Sequence, residues 1–585
     1  MRKQTKIVAV ASAAAILAIG ASMTSFAATG WVEESGEWYY YDKDGVRVED
    51  EWKKSGDSWY WLDSEENGAM AMDKLIEDGD NYYYVDSTGK MASNTWVKVV
   101  NEDQDDDDDP AEYNYYYMQS NGKAFKAGDA GNTKFRTVDG KKYAFDGDGK
   151  MLYGWCDENG NRLSGDSEWE DATYYLGNWD DGAMKTGWQK VYVFDEDEDE
   201  DMDHWFNFKS NGKKREWTTS DTGIIKEVKI NGKRYGFDSR GVMTYEWTLA
   251  TDTSLASTSS WKYFNSPEDG ARATKGWFKV VAPTEDNSFG NVITGAPTKE
   301  NTFAKGKAED ESEKWYYADG DGNLVAGEIK KIKGKYYAFH KEAWMLNGLV
   351  LMSVGDDGTE IEVMDDGVDS DELDDLMDNK YKKDGVLQDT DGYSLYYFGS
   401  DEDNDGAMKT GSTTVTLDGS SYNFSFNKSG GVESKGKGIT GIDDGKYIYK
   451  MGVRLKADSD DKYKIVYAVG DTSAVDAKVT KIDSKLARAK ATPVGQNKDG
   501  DSVRFAGDVG ETWSTDYYLV NTSGNIQKSK TAAKDGDDWY FYVDDKNIVM
   551  YTNNKTLTDN ASKGYVMSEN LTGWKNWTQG AWTVD

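Results

Sequence analysis

The chain has very little cysteine, histidine and proline: one Cys, two His and five Pro among 585 residues. Cys156 has no partner for an intrachain disulfide, so packing and strand pairing must hold the fold together. His204 and His340 leave little material for histidine-based acid/base catalysis or for zinc binding. The composition therefore excludes an intrachain disulfide scaffold and argues against a zinc enzyme.

Basic residues are also scarce, with 69 Lys and Arg against 106 Asp and Glu and a net charge of -37. Affinity for a phosphate backbone comes from Lys and Arg that displace counterions, so the charge argues against nucleic acid as a partner. The same negative field favours cationic ligands and metal ions. Long Leu, Ile and Val runs and amphipathic helices are not visible, which argues against a large α/β enzyme.

Aromatic residues are abundant: 22 Trp and 38 Tyr contribute to an aromatic fraction of 13%. A disordered acidic chain would lack such residues. Tyr and Trp are also typical strand residues. The composition predicts a β-rich protein whose core is made largely of Tyr and Trp.

The first 28 residues have the pattern of a secretory signal peptide. Arg2, Lys3 and Lys6 precede an apolar stretch over 7–21, and small residues follow, with cleavage expected after Ala27. The apolar stretch is too short to span a bilayer, and nothing later in the chain is apolar enough to do so. The last residues show no hydrophobic tail. We expect a secreted protein that is held noncovalently at the cell surface.

A short unit recurs along the chain: an aromatic cluster, a turn with Asp, Asn or Ser before Gly, and then an apolar residue. In one copy, Trp38-Tyr39-Tyr40-Tyr41 forms an aromatic strand, Asp42-Lys43-Asp44-Gly45 supplies the turn, and Val46 and Val48 alternate on the return. Isolated hairpins are marginally stable, but stacked hairpins bury a continuous core. The sequence therefore predicts an all-β fold, a solenoid of tandem β-hairpin repeats.

The units also follow a longer period. The turn glycines Gly149, Gly182 and Gly212 recur as Gly241, Gly270 and Gly322, which places units in threes about every 90 to 110 residues. Triplication of a three-unit block is the simplest explanation. The predicted boundaries along the chain are a signal peptide at 1–28, repeats at 29–281, a long loop at 282–312, repeats at 313–350, an acidic insertion at 351–390, repeats at 391–455 and degenerate β repeats at 456–585.

The pattern Gly30-Trp31, Gly36, Trp38-Tyr39-Tyr40 and Gly45 resembles the cell-wall-binding repeat, best known as the choline-binding repeat of Gram-positive surface proteins; related repeats bind glucan. The segment 181–188, Asp-Gly-Ala-Met-Lys-Thr-Gly-Trp, is similar to the end of that repeat. The resemblance covers most of residues 30–455 and weakly the remaining tail.

The resemblance implies grooves between consecutive hairpins, in which aromatic rings surround a quaternary ammonium. One implied box comprises Trp31, Trp38 and either Trp52 or Trp59, and a second comprises Trp52, Trp59 and Tyr83. Trp96, Trp188 and Trp205 are the further implied ligand-binding residues. The same rings also have a purely structural interpretation, as the core of the repeats.

The resemblance implies noncovalent binding to the bacterial cell wall, with choline-bearing teichoic acid or a surface polysaccharide such as glucan as partner, and localisation at the cell surface. The alternatives are a peptidoglycan or glycan hydrolase with a cryptic C-terminal catalytic part, and a surface adhesin or spacer. No catalytic motif stands out in the sequence, so we expect a binding protein and not an enzyme. The sequence does not determine the oligomeric state.

Acidic insertions interrupt the repeats at 103–109 and 195–203, and the alternation of Trp188, Lys190, Tyr192 and Phe194 predicts a lengthened strand before the second. Residues 401–406 resemble the start of a calcium loop, but Ser412 stands where the bidentate Glu belongs. We expect no cofactor and no metal site, and hairpin turns with solvated carboxylates; weak calcium binding at the acidic loops is the alternative. Residues 370–378 predict a short inserted helix or a linker.

Overall fold

The computed structural model describes residues 29–562 together with 577–578 and 581–582. The gaps within the first range are 105–109, 128–134, 197–198, 252–253, 285–286, 290–300, 306–311, 357, 404, 475, 483–494, 497–501 and 505–515. The predicted signal peptide, 1–28, lies outside the described residues, and so do parts of the acidic insertions and of the calcium-like loop.

The prediction of an all-β protein built from tandem hairpins is confirmed. Helices are short and few in the described part of the chain: α1 Glu168–Asp171, α2 Ser370–Met377, α3 Lys555–Ser562 and one 3₁₀ turn, Thr258–Ser260. The described residues form two compact units. The first runs to Tyr245 and includes Phe264–Ala271, and the second comprises Glu246–Tyr263 and the residues from Arg272 onward. The solenoid as an overall shape stays a prediction.

The strands of the first unit are mostly paired with their neighbours in sequence. They are β1 Gly30–Glu34, β2 Glu37–Tyr41, β3 Glu51–Ser55, β4 Ser58–Asp63, β5 Ala69–Met70, β6 Lys74–Asp78, β7 Asn81–Val85, β8 Thr95–Val100, β9 Tyr113–Met118, β10 Arg136–Val138, β11 Lys141–Tyr143, β12 Trp155–Cys156, β13 Tyr174–Tyr175, β14 Gly187–Asp195, β15 Glu200–Phe208, β16 Lys226–Ile230 and β17 Lys233–Phe237. The first five form one sheet in the order β1-β2-β5-β4-β3, and the others form two-stranded hairpins.

The second unit begins with hairpins and continues into larger sheets. Its strands are β18 Glu246–Leu249, β19 Trp261–Phe264, β20 Gly276–Val281, β21 Glu313–Ala318, β22 Ile329–Ile332, β23 Lys335–Ala338, β24 Leu349–Val354, β25 Ile361–Asp365, β26 Lys382–Lys383, β27 Val386–Leu387, β28 Ser394–Tyr397, β29 Gly411–Leu417, β30 Ser420–Phe426, β31 Gly441–Asp443, β32 Tyr447–Lys450, β33 Val453–Arg454, β34 Tyr463–Val469, β35 Lys478–Ile482, β36 Gly495–Gln496, β37 Ser502–Arg504, β38 Tyr517–Asn521, β39 Lys530–Lys534, β40 Tyr540–Asp544, β41 Asn547–Thr552, β42 Trp577–Thr578 and β43 Ala581–Trp582.

A three-hairpin block occurs three times along the chain, as the glycine spacing predicts. Each block has a long A hairpin (β8–β9, β14–β15, β20–β21), a short B hairpin (β10–β11, β16–β17, β22–β23) and a C hairpin interrupted by an insertion (β12–β13, β18–β19, β24–β28). The predicted acidic insertion at 103–109 and the loop at 282–312 fall between the two strands of A hairpins, whereas the insertion at 195–203 includes the last residue of β14 and the first four residues of β15. The predicted lengthened strand is β14, of nine residues.

Turn chemistry explains why each hairpin reverses where it does. The B hairpin β16–β17 turns at Asn231 and Gly232, whose φ angles of 50° and 87° suit the tight turns that match strand twist. After the returning strand, an Asp closes a second turn. Asp42 Oδ1, for example, accepts from the N–H groups of Asp44 and Val46, both at 2.8 Å.

Successive hairpins are joined by a recurring contact between an apolar residue and a turn glycine. Met151 of one hairpin lies against Gly182 of the next, whose φ is +59°. A Cβ at that glycine would lie well inside van der Waals distance of the Met151 sulfur. Gly89, Gly122, Gly212, Gly270, Gly406 and Gly436 face a methionine in the same way. The glycine is therefore required both for its backbone angle and for space.

The chain from β24 onward has a different core from that of the hairpins. Helix α2, which confirms the predicted inserted helix, begins with a capping box at Asp369 and packs Leu373 and Leu376 into a large aliphatic and aromatic cluster. Lys450 Nζ donates to the carbonyls of Leu376 (3.1 Å) and Met377 (2.8 Å) at the end of this helix. The tail predicted as degenerate repeats contains three- and five-stranded sheets in its described part.

Candidate ligand-binding site: the aromatic triads

Three aromatic residues recur as a group at each of five positions, and at two of these the first ring contacts both of the others. The first ring is the Trp that opens a hairpin. The second ring is on the returning strand, two residues before the residue that pairs with the first, and therefore lies on the same face of the hairpin. The third comes from the next hairpin. We call these groups triads, after their first member. They are Trp31–Trp38–Tyr60, Trp52–Trp59–Tyr83, Trp96–Tyr115–Tyr143, Trp188–Trp205–Tyr235 and Trp277–Trp315–Tyr337.

The Trp188 and Trp277 triads have nearly the same geometry. In each, the two indole rings lie 6.2 Å apart at 85°. The third ring lies 4.7 Å from Trp188 at 62° and 4.9 Å from Trp277 at 67°. All of these rings are half-buried, so each presents part of its surface to solvent. In each triad two rings are thus inclined to a central indole, and aromatic faces of this kind attract a desolvated cation.

The other three triads share the contact between the first and third rings. Trp31 lies 5.4 Å from Tyr60, Trp52 lies 5.0 Å from Tyr83, and Trp96 lies 4.8 Å from Tyr143. Their second rings, Trp38, Trp59 and Tyr115, share the face of the first ring by strand register. Trp59 is the most open of them, with 41% of its surface exposed.

A backbone hydrogen bond fixes the second ring relative to the next hairpin. The carbonyls of Trp59, Tyr115, Trp205 and Trp315 each accept an N–H from the methionine after the next turn, at 2.7 to 2.9 Å. The donors are Met91, Met151, Met243 and Met345. The triad is therefore held by the same residues that join the hairpins.

Two further Trp residues open hairpins but lie in the core. Trp155 and Trp247, both in C hairpins, are 4% and 0% exposed. Trp155 contacts Tyr175 and Phe206, and Trp247 contacts Tyr316 and Phe303. Their first-to-third ring distances, 5.1 Å in both cases, match those of the triads. The ring pairing is thus general, whereas exposure is restricted to some hairpins.

All eight residues implied as ligand contacts belong to a triad. The structure brings together Trp52 with Tyr83 and Trp188 with Trp205, as rings in contact. Trp31 makes its ring contacts with Tyr40 and Tyr60, the residue next to Trp59. Sequence analysis missed Tyr60, Tyr115, Tyr143, Tyr235, Trp277, Trp315 and Tyr337. The signal that could have found Trp277 and Trp315 is their match to Trp188 and Trp205 one block earlier.

The two histidines have structural partners. His204 Nε2 lies 2.6 Å from Asp195 Oδ2 in a buried pair, and Arg240 Nη1 donates to the other oxygen of Asp195 at 2.9 Å. His340 stacks on Trp344 at 4.2 Å. Among the described residues, no group of three or more His, Cys, Asp or Glu side chains is arranged to hold a metal ion. In that same part of the chain, no helix has the length and apolarity needed to cross a membrane.

Family models match the segments that carry the first triads. The choline-binding repeat matches residues 51–96, and the family described as "putative cell wall binding repeat" matches 29–46 and 309–324. The chain therefore carries choline-binding repeats in these segments. The match supports binding to the cell wall or to choline and association with the cell surface. A search of curated proteins gave no significant match.

Several solved structures from Streptococcus pneumoniae are similar to this choline-binding repeat protein. Choline binding protein F is 18% identical over 68% of this chain and 97% of its own, with a TM-score of 0.28. The choline-binding domain of Spr1274 is 31% identical over 17% of this chain and 95% of its own, with a TM-score of 0.12. The modular autolysin LytC is 16% identical over 55% of this chain, with a TM-score of 0.29, and the chain covers 54% of that autolysin.

Proposed function

We propose that the protein is secreted and binds the bacterial cell wall noncovalently, by holding choline groups of teichoic acid in its aromatic triads. The supporting observation is the repeated triad geometry: two indole rings at 6.2 Å and 85°, with a tyrosine closing the third side at 4.7 or 4.9 Å. Each triad supplies a weak site. Linked sites on one polymer raise the effective concentration, so several weak sites give firm attachment.

Retention on purified choline-containing walls tests this proposal. The full chain should bind such walls and elute with free choline, whereas a soluble glucan should not elute it. Elution by glucan alone would instead support the polysaccharide alternative. The variant Trp188→Ala/Trp277→Ala should elute at a lower choline concentration than the wild type. Tyr192→Ala is the matched control, since Tyr192 is 66% exposed and belongs to no triad.

We also propose that the chain acts by binding and not by catalysis. His204 lies in a buried hydrogen-bonded pair with Asp195 and His340 stacks on Trp344, and these contacts support a structural role for both histidines. A zymogram on purified wall should show no clearing. A lysis band that persists in the purified chain would favour the hydrolase alternative with its catalytic part in the C-terminal region.

A further inference from the structure

The turns of the C hairpins carry carboxylates to the edges of the triads two hairpins earlier. These turns comprise residues 178–182, 266–270, 401–403 and 405–406, and we call them the acidic turns. Each contains a glycine, Gly182, Gly270 or Gly406, against which the methionine of the B hairpin packs. The same methionine donates its N–H to the backbone carbonyl of the triad's second residue. One residue therefore positions the acidic turn relative to the rings.

The contact is most direct at the Trp277 triad. Asp403 Oδ1 accepts from Trp315 Nε1 at 3.0 Å and from Lys279 Nζ at 2.6 Å. Lys279 is the residue directly opposite Trp315 in the hairpin. These two donors, Lys279 first, hold the pKa of Asp403 below its ordinary value. The charged carboxylate of Asp403 thus lies at the edge of the Trp277 triad, beside the indole N–H of Trp315.

Contacts of the acidic turns also reach the triads of the other two blocks. At the Trp188 triad, Glu268 Oε1 lies 3.6 Å from Nζ of Lys190, the residue opposite Trp205. At the Trp96 triad, Trp179 lies 6.4 Å from Tyr115. The pKa of Tyr115 is raised by burial first and then by the charge of Asp180. The Trp52 triad has a carboxylate from another source, because Trp52 Nε1 donates to Asp78 at 3.1 Å.

We propose that these carboxylates, and Asp403 at the Trp277 triad in particular, are specificity-determining residues that make the triads select an alkylammonium cation over a neutral ligand. Aromatic faces alone do not discriminate strongly, because they also stack on sugar rings. A fixed negative charge favours a cation and contributes nothing to a neutral group. In this arrangement the ammonium group of Lys279 and the bound cation both interact with the carboxylate of Asp403, so the lysine competes with the ligand.

This inference rests on the proposed binding of choline by the triads. A charged and a neutral ligand of the same shape test the role of the carboxylates separately from the binding itself. Choline and 3,3-dimethyl-1-butanol have the same shape, but only choline is charged. The full chain labelled with 5-fluorotryptophan gives a resonance for Trp315, assigned by its loss in Trp315→Phe. Titration of that resonance yields the Kd of each ligand at this one triad.

Asp403→Asn should weaken choline binding at the Trp277 triad about threefold to tenfold at low salt and leave the neutral isostere unchanged. Lys279→Gln should act in the opposite direction and tighten choline severalfold, because it removes a competing cation. Structural damage would not produce that gain. Asp44→Asn is the control: it changes the net charge by the same amount as Asp403→Asn, but on an exposed turn. It should alter the Kd of neither choline nor the neutral isostere.

Equal effects of Asp403→Asn on both ligands, or no effect on either, would overturn the inference while leaving choline binding intact. A Trp277→Ala variant whose Trp315 resonance still shifts with choline would instead contradict the proposed function at this triad. Raising the salt concentration should reduce the difference between wild type and Asp403→Asn, since exposed charges are screened.

Discussion

The A and C hairpins open with the same residue, yet they place it in different surroundings. Trp188 and Trp277, in A hairpins, are half-buried, whereas Trp155 and Trp247, in C hairpins, are 4% and 0% exposed. The distance to the third ring is similar in both classes. The difference comes from additional side chains.

Those side chains come from segments outside the hairpin strands. Phe303, from the loop between β20 and β21, lies 5.6 Å from Trp247, and the indole Nε1 of Trp247 donates to the carbonyl of Val281 at 2.7 Å. Lys214 Nζ lies 6.0 Å above the ring of Trp155. One repeat motif therefore lies in the core or remains open to solvent, according to which groups pack on it.

The largest expected effect is a difference in folding stability between variants of a buried C-hairpin tryptophan and of a half-buried A-hairpin tryptophan. Trp247→Ala should lower the free energy of unfolding by about 3–5 kcal/mol, because it leaves a cavity in a fully buried cluster. Trp277→Ala should cost clearly less and should instead abolish the choline response of its triad. Urea denaturation followed by tryptophan fluorescence, paired with the titration above, measures both. Equal destabilisation by the two variants would show that the exposed class is also core.

The contact between a methionine and the turn glycine of the next hairpin can be tested by substituting the glycine. Gly182→Ala forces a non-glycine residue to φ +59° and places its Cβ against Met151, so we expect a loss of about 2–4 kcal/mol. Gly232→Ala has φ +87° and no atom within 4 Å of the new Cβ, so only the backbone cost of about 1–2 kcal/mol applies. Indistinguishable denaturation midpoints for the two variants would argue against the methionine contact.

The buried lysine beside Trp155 should make stability depend on pH. Burial lowers the pKa of Lys214 to about 8, from its ordinary value of 10.5. Between these values the unfolded chain binds more protons than the folded chain, so the lysine's contribution to stability rises with pH across this window and is constant below it. The difference in unfolding free energy between wild type and Lys214→Met should therefore increase from pH 8 to 10.5.

Lys209→Met, at an exposed position, serves as the matched control for the removal of one lysine. A flat profile for Lys214→Met would mean that the lysine remains charged at its ordinary pKa. Lys214 Nζ donates to the carbonyls of Trp169 (2.7 Å) and Glu170 (2.9 Å), so its removal also leaves two acceptors without this donor.

The smallest expected effect concerns the turn that follows the aromatic strand. Asp42→Ala removes the acceptor for two backbone N–H groups and should cost about 1 kcal/mol. Asp44→Ala, in the same turn, removes only a 3.9 Å contact with exposed Lys43 and should be close to neutral. Thermal unfolding of the two variants gives the comparison, and a larger loss for Asp44→Ala would contradict this account of the turn.

Much of the local structure could be predicted from the sequence because it depends on neighbouring residues. The strand around Trp38, the turn at Asp42 and the lengthened strand from Trp188 follow from alternation and turn chemistry. The inserted helix at α2 follows from its capping residues. The period of the turn glycines predicts the three blocks.

Apart from Tyr83, which the family resemblance implied, the third rings of the triads could not be predicted in the same way. Tyr60, Tyr235 and Tyr337 come from the next hairpin, and their approach depends on how one hairpin packs on another. The burial of Trp155 and Trp247 depends on residues such as Phe206 and Phe303, which lie far from them in sequence. Local patterns carry no information about such contacts.

The amino-acid sequence by itself determined the hairpin, its turns, its repetition and the kinship to choline-binding repeats, because each depends on the spacing of residues within one unit. Only the tertiary structure decided which tryptophans remain open to solvent and which carboxylates lie beside them. The physical reason is that the exposure and the electrostatic surroundings of a side chain depend on chain segments from other hairpins. The sequence of one repeat does not specify which segments pack against it.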